Sequence, residues 1–431
     1  MSPELVGIIG IVILIILLLF RMTIGLAMAL VGFLGFAYIS GFKPALGILA
    51  TQPYSVVANY TISVVPLFLL MGSIAANTGI GTDLYKTAYK WLGQLKGGLA
   101  MATIGACSLF AAICGSSIAT SVTIGKVALP EMKKYGYDSA LATGSVAAGG
   151  TLGILIPPSL GFILYAILTE QSVGLLFIAG ILPGILLTLL FITQIGIQVT
   201  WKASLGPTGP KTSFLEKIVS LKSTYAMVAL FLFVMGGIYF GFFTPTEAGA
   251  LGVFGAVVIS IIRRKLTFKN FGQSLLQTSI STAMVLLMLV GAMIFMRFLA
   301  VSKLPFMLAT FVTELAVPPI VILSLIVLIY IILGMFLDII SSMILTVPII
   351  FPAIIAMGFD PIWFGVIVVL CMELGMITPP VGLNVFALAA VTDVPLTTVF
   401  RGTLPFALTL MIGIILVIIF PQIALFLPRL M

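Results

Sequence analysis

The sequence predicts an all-α polytopic membrane protein with two inverted-topology repeats, each containing a re-entrant helical hairpin and a broken helix. Three observations predict this fold class. Of the 431 residues, 61% are hydrophobic and 7% are charged, and the apolar runs are long enough to cross a bilayer. An offset of 222 residues, the distance from Pro130 to Pro352, maps residues of the first half onto identical residues of the second. The matched residues are mostly Gly, Pro and Asp, which set turns, breaks and helix ends.

The basic residues predict how the chain crosses the membrane. Ten crossings that start from an external N-terminus leave four of the twenty Lys and Arg residues outside, namely Lys43, Arg297, Lys303 and Arg429. The others lie on the cytoplasmic side, as the positive-inside rule requires. We therefore expect a multi-pass protein of a bacterial or archaeal cytoplasmic (inner) membrane, with both termini periplasmic. The first apolar run has no basic residue before it and is followed by Arg21, so we interpret it as a span rather than a signal peptide.

The first repeat, residues 1–200, is predicted from apolar runs and the residues that interrupt them. Its elements are spans at 5–20, 23–41 and 51–77, an interfacial arm helix at 81–96, a hairpin at about 98–135, a broken helix at about 138–168 and a span at 173–197. The arm helix is indicated by apolar side chains on one helical face. The hairpin segment is too long for one span and has polar residues at its middle, so it should turn there and return to the cytoplasmic side.

The second repeat, residues 223–431, follows a polar stretch at 201–222 that we expect to be a cytoplasmic linker. Its elements are spans at 223–241, 246–262 and 274–299, an interfacial stretch at 304–315, a hairpin at about 319–357, a broken helix at about 361–388 and a last span at 399–425. Each repeat makes five crossings. Because that number is odd, the second copy must be inverted relative to the first.

Oxygen ligands are predicted where the backbone leaves the helix at membrane depth. The Pro-Pro pairs in the broken helices remove N–H donors and free carbonyl groups, and Ser and Thr hydroxyls stand at the hairpin tips. At the 222-residue offset, Ser116 aligns with Asp338, and the break at 153–159 aligns with the one at 375–381. Such a cage with at most one carboxylate suits Na⁺ better than Ca²⁺. Positive half-helix ends at the same breaks would attract an anion.

Several of these residues also have a purely structural interpretation. Asp138 and Asp360 precede helix starts, and 244–247 reads as a capping box, so capping explains them. A single Ser or Thr in a membrane helix often bonds only to its own backbone, whereas clusters at two symmetry-related tips favour function. Asp338 is the sharpest functional candidate, because an ionisable group at membrane depth is costly. For Glu373 two roles stay open, tuning of the ion site and pairing with a neighbouring helix end.

Five runs together resemble one known family. They are Gly153 to Ser159, Leu175 to Gly184, Phe243 to Ala248, Gly334 to Asp338 and Gly375 to Asn384. Along the chain they are similar to the large membrane (DctM-like) subunit of tripartite ATP-independent periplasmic (TRAP) transporters. The resemblance implies the ion-transporter superfamily and an elevator mechanism, in which the hairpins and broken helices slide against a scaffold of the remaining helices.

The resemblance also implies two Na⁺ sites with a substrate site between them. The implied ion ligands of the first repeat are Gly115, Ser116, Ser117, Thr120, Gly153 and Ser159. Those of the second repeat are Asp338, Ser341, Ser342, Gly375, Thr378, Gly382 and Asn384. The implied substrate contacts are Ser117, Pro157, Pro158, Pro379, Pro380 and Asn384. Na⁺ is then the coupling ion, and no other metal or cofactor is expected.

By the same resemblance, the chain works with a separate small four-helix membrane subunit and a periplasmic substrate-binding protein. The expected function is Na⁺-coupled uptake of an organic acid anion of the dicarboxylate, sialic acid or sugar acid class. One alternative is an organic anion transporter of the same superfamily that needs no binding protein. Another is a passive channel, which the lack of a charged pore ring disfavours.

An enzyme is not expected, because the chain has no His for Ser-His or metalloprotease chemistry. The three Cys residues have no paired spacing and are interpreted as small buried residues.

Overall fold

The computed structural model describes all residues from Met1 to Met431, and these form helices without any strand. The helices of the first half are α1 (Pro3–Leu19), α2 (Ile24–Ser40), α3 (Phe42–Val57), α4 (Val64–Asn77), α5 (Ile80–Leu92), α6 (Gly98–Cys114), α7 (Ser117–Lys134), α8 (Ser139–Leu155), α9 (Leu160–Thr169) and α10 (Val173–Trp201). Short 3₁₀ turns, Tyr60–Ser63 and Ala203–Leu205, precede α4 and follow α10. The predicted hairpin is the pair α6 and α7, and the predicted broken helix is the pair α8 and α9.

The second half repeats this order after a helix in the linker. Its helices are α11 (Phe214–Leu221), α12 (Tyr225–Tyr239), α13 (Pro245–Ile262), α14 (Phe268–Ser302), α15 (Leu304–Glu314), α16 (Pro319–Phe336), α17 (Ile339–Ala356), α18 (Pro361–Met376), α19 (Leu383–Ala390), α20 (Leu396–Ile419) and α21 (Gln422–Leu425), followed by a 3₁₀ turn, Pro428–Leu430. The 222-residue offset maps α6 to α10 onto α16 to α20, which confirms the predicted fold class.

Eight helices are long and apolar enough to cross a membrane, and a ninth is possible because α11 and α12 form a pair bent by 52°. Two of the eight, α16 and α17, are the arms of the second hairpin. The spans predicted near the N-terminus, α1 and α2, are apolar helices of 17 residues each. At 1.5 Å per residue, 17 residues span about 25 Å, close to the thickness of the hydrocarbon core.

The helices separate into two packed groups. We call α1–α4 and α12–α14 the outer group, in which α14 packs against α2 and α4, and α13 packs against α4. Helices α2 and α14 cross closely at Gly25 and Gly291, where a Cβ added to Gly291 would lie 1.9 Å from the Gly25 carbonyl oxygen. Only glycine permits this approach, so small residues fix the crossing.

We call α6–α10 and α16–α20 the hairpin group. Within it, α7 packs against α19 and α17 packs against α9. Each hairpin therefore contacts the short second half of the broken helix that belongs to the other repeat. The resemblance assigned every helix outside the hairpins and broken helices to the scaffold, but α10 and α20 pack inside the hairpin group, against α18 and α8 respectively. Helices α5 and α15 connect the two groups, and we call them the arm helices.

The predicted span at 51–77 starts later than expected, because the helix is interrupted, and Tyr60–Asn77 is the part that is long and apolar enough to cross a membrane. Helix α3 ends at Val57, and Asn59 caps the following 3₁₀ turn by accepting a hydrogen bond from the Thr61 N–H at 2.9 Å. Helix α3 instead packs beside α2 and α14. The corresponding part of the second repeat is the single 35-residue helix α14.

The linker is an ordered part of the fold, with helix α11 packed on the arm helix α5. Its Gly209 N–H donates to the Gly93 carbonyl at 2.8 Å. The side chain of Gln94 donates to the Thr212 carbonyl and hydroxyl at 2.6 and 2.7 Å. Composition predicted a polar connection here, whereas these hydrogen bonds hold it against the end of α5.

Candidate functional site

The tip of the first hairpin is built by a glycine and a helix cap. Gly115 ends α6 with a φ of +64°, a left-handed conformation that favours glycine. Ser116 is the N-cap of α7, and its hydroxyl accepts a hydrogen bond from the Ala119 N–H at 3.4 Å. A Cβ on Gly115 would lie 2.8 Å from the Pro158 carbonyl oxygen. The tip therefore touches the break in the broken helix of the same repeat.

The first turn of α7 presents hydroxyl groups to glycines of α8. Ser117, Thr120 and Ser121 share one face of α7, since they are three or four residues apart, and each is at most 1% exposed. A Cβ on Gly153 would lie 2.6 Å from the Ser116 carbonyl oxygen and 2.8 Å from Thr120 Oγ1. Because residue 153 is glycine, the backbone of α8 can touch the start of α7, and oxygen atoms of Ser116 and Thr120 lie at this contact.

The first break adds free carbonyl groups to this set. Helix α8 ends at Leu155, and the residues that would donate to the Gly153 and Ile154 carbonyls are Pro157 and Pro158, which have no N–H. Both prolines are buried, and the bond between them is cis. Ser159 is the N-cap of α9 and accepts a hydrogen bond from the Phe162 N–H at 3.3 Å. Ser159 is thus explained by capping, and its role as an ion ligand stays a prediction.

Two hydroxyl oxygens on the face of α7 that contacts α8 lack any partner. Thr120 Oγ1 and Ser121 Oγ are buried without a hydrogen bond. An unsatisfied buried hydroxyl costs about 1–3 kcal/mol, so buried polar groups without a partner need a specific explanation. Nowhere in the chain do three or more His, Cys, Asp or Glu side chains gather to hold a metal ion. The oxygen set at the first tip, neutral apart from one neighbouring carboxylate described below, fits a small monovalent cation.

The second hairpin tip has the same plan with a carboxylate in place of the hydroxyl. Asp338 is the N-cap of α17, where its side chain accepts hydrogen bonds from the Ser341 N–H, at 3.2 Å, and from the Ser341 hydroxyl. Asp338 therefore caps a helix, as Ser116 does 222 residues earlier. Ser342 is fully buried, and its hydroxyl has no partner. The role of these three residues as ion ligands stays a prediction.

The second break differs from the first in its backbone and exposure. The Gly375 carbonyl accepts from the Thr378 N–H at 3.2 Å, so the end of α18 tightens and this carbonyl is paired. The Thr378 hydroxyl donates to the Leu374 carbonyl, and Gly382 begins α19 with a φ of +59°. Pro379 and Pro380, also joined by a cis bond, are exposed, unlike the buried prolines of the first break.

The contact between Gly334 and Gly375 joins the second hairpin to its broken helix. A Cβ on Gly375 would lie 2.2 Å from the Gly334 carbonyl carbon, so the backbones of α16 and α18 touch. This contact lies before the tip, on the first arm of the hairpin, whereas in the first repeat the tip itself touches the break. The two predicted ion cages are therefore assembled differently.

Asn384 lies with the first repeat rather than at the second hairpin. It is fully buried, and its side-chain NH₂ donates to the Ala147 carbonyl of α8 at 3.4 Å, while Oδ1 has no partner. Helix α19, which carries it, packs against α7 and α8. The predicted substrate contacts are thus divided, because Ser117, Asn384 and the first Pro-Pro pair are enclosed and the second Pro-Pro pair is exposed.

Sequence reasoning left the contacts of Glu373 open. This residue is fully buried on α18, and the Ser117 hydroxyl donates to its Oε1. The contact joins the first hairpin tip to the broken helix of the second repeat. The sequence feature that pointed to a special role for this residue was a carboxylate in an apolar run, two residues before Gly375.

A polar cavity of about 600 Å³ lies at the other end of α7. Lys126 and Lys133 line it from α7, and Ser139 and Thr143 line it from the start of α8. Asp393, in the loop between α19 and α20, also lines it. The cavity follows the boundary between the two repeats, and sequence reasoning did not predict it.

Comparison with known proteins gives matches over most of the chain. Residues 11–423 match the family described as "Tripartite ATP-independent periplasmic transporter, DctM component". A C4-dicarboxylate TRAP transporter large permease protein from Pseudomonas aeruginosa is 38% identical over 88% of this chain and 89% of its own length. A sialic acid TRAP transporter large permease protein from Vibrio cholerae is 33% identical over the same shares. An ectoine TRAP transporter large permease protein from Halomonas elongata is 32% identical over 95% of this chain and 96% of its own.

Two solved structures share the fold at low sequence identity. The YdaH transporter of Alcanivorax borkumensis matches with a TM-score of 0.64 and 16% identity, over 90% of this chain and 88% of that one. MtrF of Neisseria gonorrhoeae matches with a TM-score of 0.60 and 13% identity, over 99% of this chain and 95% of that one. One is a transporter and the other belongs to a class of efflux pumps, so the arrangement of helices described above also occurs in other transport proteins.

Proposed function

This chain belongs to the DctM family, the large membrane component of the tripartite ATP-independent periplasmic transporters, and on that premise we propose that it takes up an organic acid anion together with Na⁺. Relatives carry names that specify C4-dicarboxylate, sialic acid and ectoine. The first two names agree with the substrate class expected from the sequence, so the proposed substrate is an organic acid anion, with dicarboxylates, sialic acids and sugar acids as the candidates. The protein is a transporter subunit and not an enzyme.

One observation carries the choice of Na⁺ as coupling ion. At the first hairpin tip, the hydroxyl oxygens of Thr120 and Ser121 are buried without a partner and face glycines of α8. The break that frees the Gly153 and Ile154 carbonyls ends the same helix. Hard oxygen ligands suit a small hard cation, and a site with few carboxylates suits a single positive charge. The bound ion would give these oxygens the partner that they lack.

The separation of the helices into two groups supports an elevator mechanism. The hairpin group contains both hairpins and both breaks, and its members pack across the two repeats. Against the outer group it makes fewer connections, through α4, α12 and α14 and through the arm helices α5 and α15. A hairpin group that moves as one body would carry ion and substrate sites together, and α5 and α15 would act as its arms.

The remaining parts of the proposal concern partners and location. Family membership supports a small four-helix membrane subunit and a periplasmic binding protein that delivers the substrate. The positive-inside distribution of Lys and Arg supports a cytoplasmic (inner) membrane location with both termini periplasmic.

Reconstituted transport tests the proposal. Proteoliposomes that contain the large and small subunits should accumulate radiolabelled substrate only when the binding protein is outside and an inward Na⁺ gradient is present. Replacement of Na⁺ by choline at constant ionic strength should abolish accumulation. Full uptake in choline would contradict Na⁺ coupling, and full uptake without the binding protein would favour the transporter that needs none.

A further inference from the structure

Glu373 is an acidic side chain in an environment with almost no hydrogen-bond partner or compensating charge. It is 0% exposed on α18, surrounded by residues of α18 that are all buried. Its Oε1 accepts a hydrogen bond from Ser117, and its Oε2 has no partner. Burying an ionised carboxylate without compensation is very costly. The position therefore requires a neighbouring positive charge or a neutralised carboxyl group.

None of the surrounding elements supplies that positive charge. The helices packed against α18 are α8, α9, α10, α16, α17, α19, α20 and α21. Among them, only α20 carries a basic residue, Arg401, which is exposed and not paired with Glu373. On α7, which carries Ser117, the nearest basic residue is Lys126, nine residues or about 13 Å along the helix. No protein cation is therefore in place to compensate Glu373.

The oxygen atoms next to Glu373 contain no positive charge themselves, but they could hold a cation. Ser117, its hydrogen-bond donor, lies on the same face of α7 as Thr120 and Ser121, whose buried hydroxyl oxygens are unpartnered. Both of these residues are nine-tenths or more buried and face the glycines of α8. A cation among these oxygens would be close to the carboxylate, and opposite charges attract strongly where water is excluded.

The internal repeat explains why the carboxylate comes from the other half of the chain. The second hairpin tip has its own acidic residue, Asp338, whereas the first tip has Ser116 at the matching position. The residue that matches Glu373 in the first repeat is Thr151, whose hydroxyl donates to the Ala148 carbonyl. Each tip is thus associated with one carboxylate. The second tip has Asp338 in its own loop, and the first tip has Glu373 from the opposite repeat.

We infer that Glu373 supplies the negative charge of the cation site at the first hairpin tip, so that this site is built jointly by both repeats. The inference rests on the proposed Na⁺ coupling and adds to it the residue that balances the ion's charge. Ser117 links the carboxylate to the oxygen set of α7. Binding of the ion then depends on how α18 lies against the first hairpin.

Charge removal tests the inference. In the complex of large and small subunits in detergent, thermal unfolding is followed as a function of Na⁺, with choline keeping the ionic strength constant, because a ligand that binds the folded state raises its stability. Glu373→Gln keeps the acceptor for Ser117 but removes the charge, and it should raise the half-saturating Na⁺ concentration at least tenfold. Glu314→Gln, the same change at an exposed position on an arm helix, should leave it unchanged.

Relocating the charge provides the second measurement. Glu373→Gln combined with Ser116→Asp returns one carboxylate to the first tip, in the arrangement seen at Asp338. This double variant should bind Na⁺ within about threefold of the wild type, which a purely structural role of Glu373 would not produce. If Glu373→Gln alone does not fold, recovery of folding and Na⁺ response in the double variant supports the inference, and its absence overturns it.

The Na⁺ titrations distinguish failure of the proposed Na⁺ coupling from failure of the inferred role of Glu373. A wild-type complex whose stability ignores Na⁺ contradicts the proposed coupling. A wild-type complex that responds to Na⁺, together with an equal response of Glu373→Gln, overturns the inference alone.

Discussion

Replacement of Gly153 by alanine should weaken Na⁺ binding at the first hairpin tip. The new Cβ would lie 2.6 Å from the Ser116 carbonyl oxygen and 2.8 Å from both the Ser116 carbonyl carbon and Thr120 Oγ1. Two of these atoms belong to the backbone, so no side-chain rotation relieves the overlap, and the tip must move by about 0.4 Å to reach even a 3.0 Å contact. Overpacking of this kind costs roughly 1–3 kcal/mol, which corresponds to about a 5- to 150-fold loss of Na⁺ affinity if the ion requires the original geometry.

The assay is the Na⁺ dependence of thermal unfolding for the complex of large and small subunits. Gly105→Ala is the matched control, because Gly105 lies inside α6 of the same hairpin and its added Cβ would meet Leu92 and Ala88 only at 3.9 and 4.0 Å. Both changes gain helix propensity, about 1 kcal/mol each, so their difference reports the contact with the tip. Equal half-saturating Na⁺ concentrations for the two variants would refute the assignment of this contact to the ion site.

Two further predictions concern the second tip and the linker. Asp338→Asn keeps a good capping side chain, so we expect wild-type thermal stability but a higher half-saturating Na⁺ concentration in the same titration; an unchanged Na⁺ response would leave Asp338 with capping alone. Gln94→Ala removes two hydrogen bonds to Thr212, about 1 kcal/mol each, and should speed tryptic cleavage after Lys211 roughly fivefold or more. Gln273→Ala, at an exposed position on α14, should be cleaved at the wild-type rate. Equal rates for both variants would show that the hydrogen bonds between Gln94 and Thr212 do not protect the linker.

The hairpin turns and the helix breaks could be predicted from sequence because their determinants are local. A proline removes an N–H wherever it stands, and a serine or aspartate caps a helix through its own backbone neighbourhood. Ser116 and Asp338 were aligned by the 222-residue offset, and both cap the second helix of a hairpin. The break predicted at 153–159 lies between α8, which ends at Leu155, and α9, which begins at Leu160.

The contacts between repeats could not be predicted, because they depend on how distant segments pack. Nothing near Ser117 in the sequence indicates that its partner is Glu373, and nothing near Asn384 indicates that it bonds to Ala147. The linker shows the same limit. Its composition indicated a polar connection, but the hydrogen bonds between Thr212 and the end of α5 arise only once the arm helix is in place.

The contact between Ser117 and Glu373 has a consequence for how the protein is made. The two residues are 256 positions apart, and ribosomes add about 5–20 residues per second. The first hairpin therefore enters the membrane roughly 13–50 s before its carboxylate partner and α19 have been synthesised. During that time Ser117 has no partner from the second repeat, and α8, which follows the hairpin directly in the chain, is the element that covers the hydroxyl-lined face of α7. Assembly of the first ion site is thereby one of the last steps of biogenesis, completed only when the C-terminal quarter of the chain arrives.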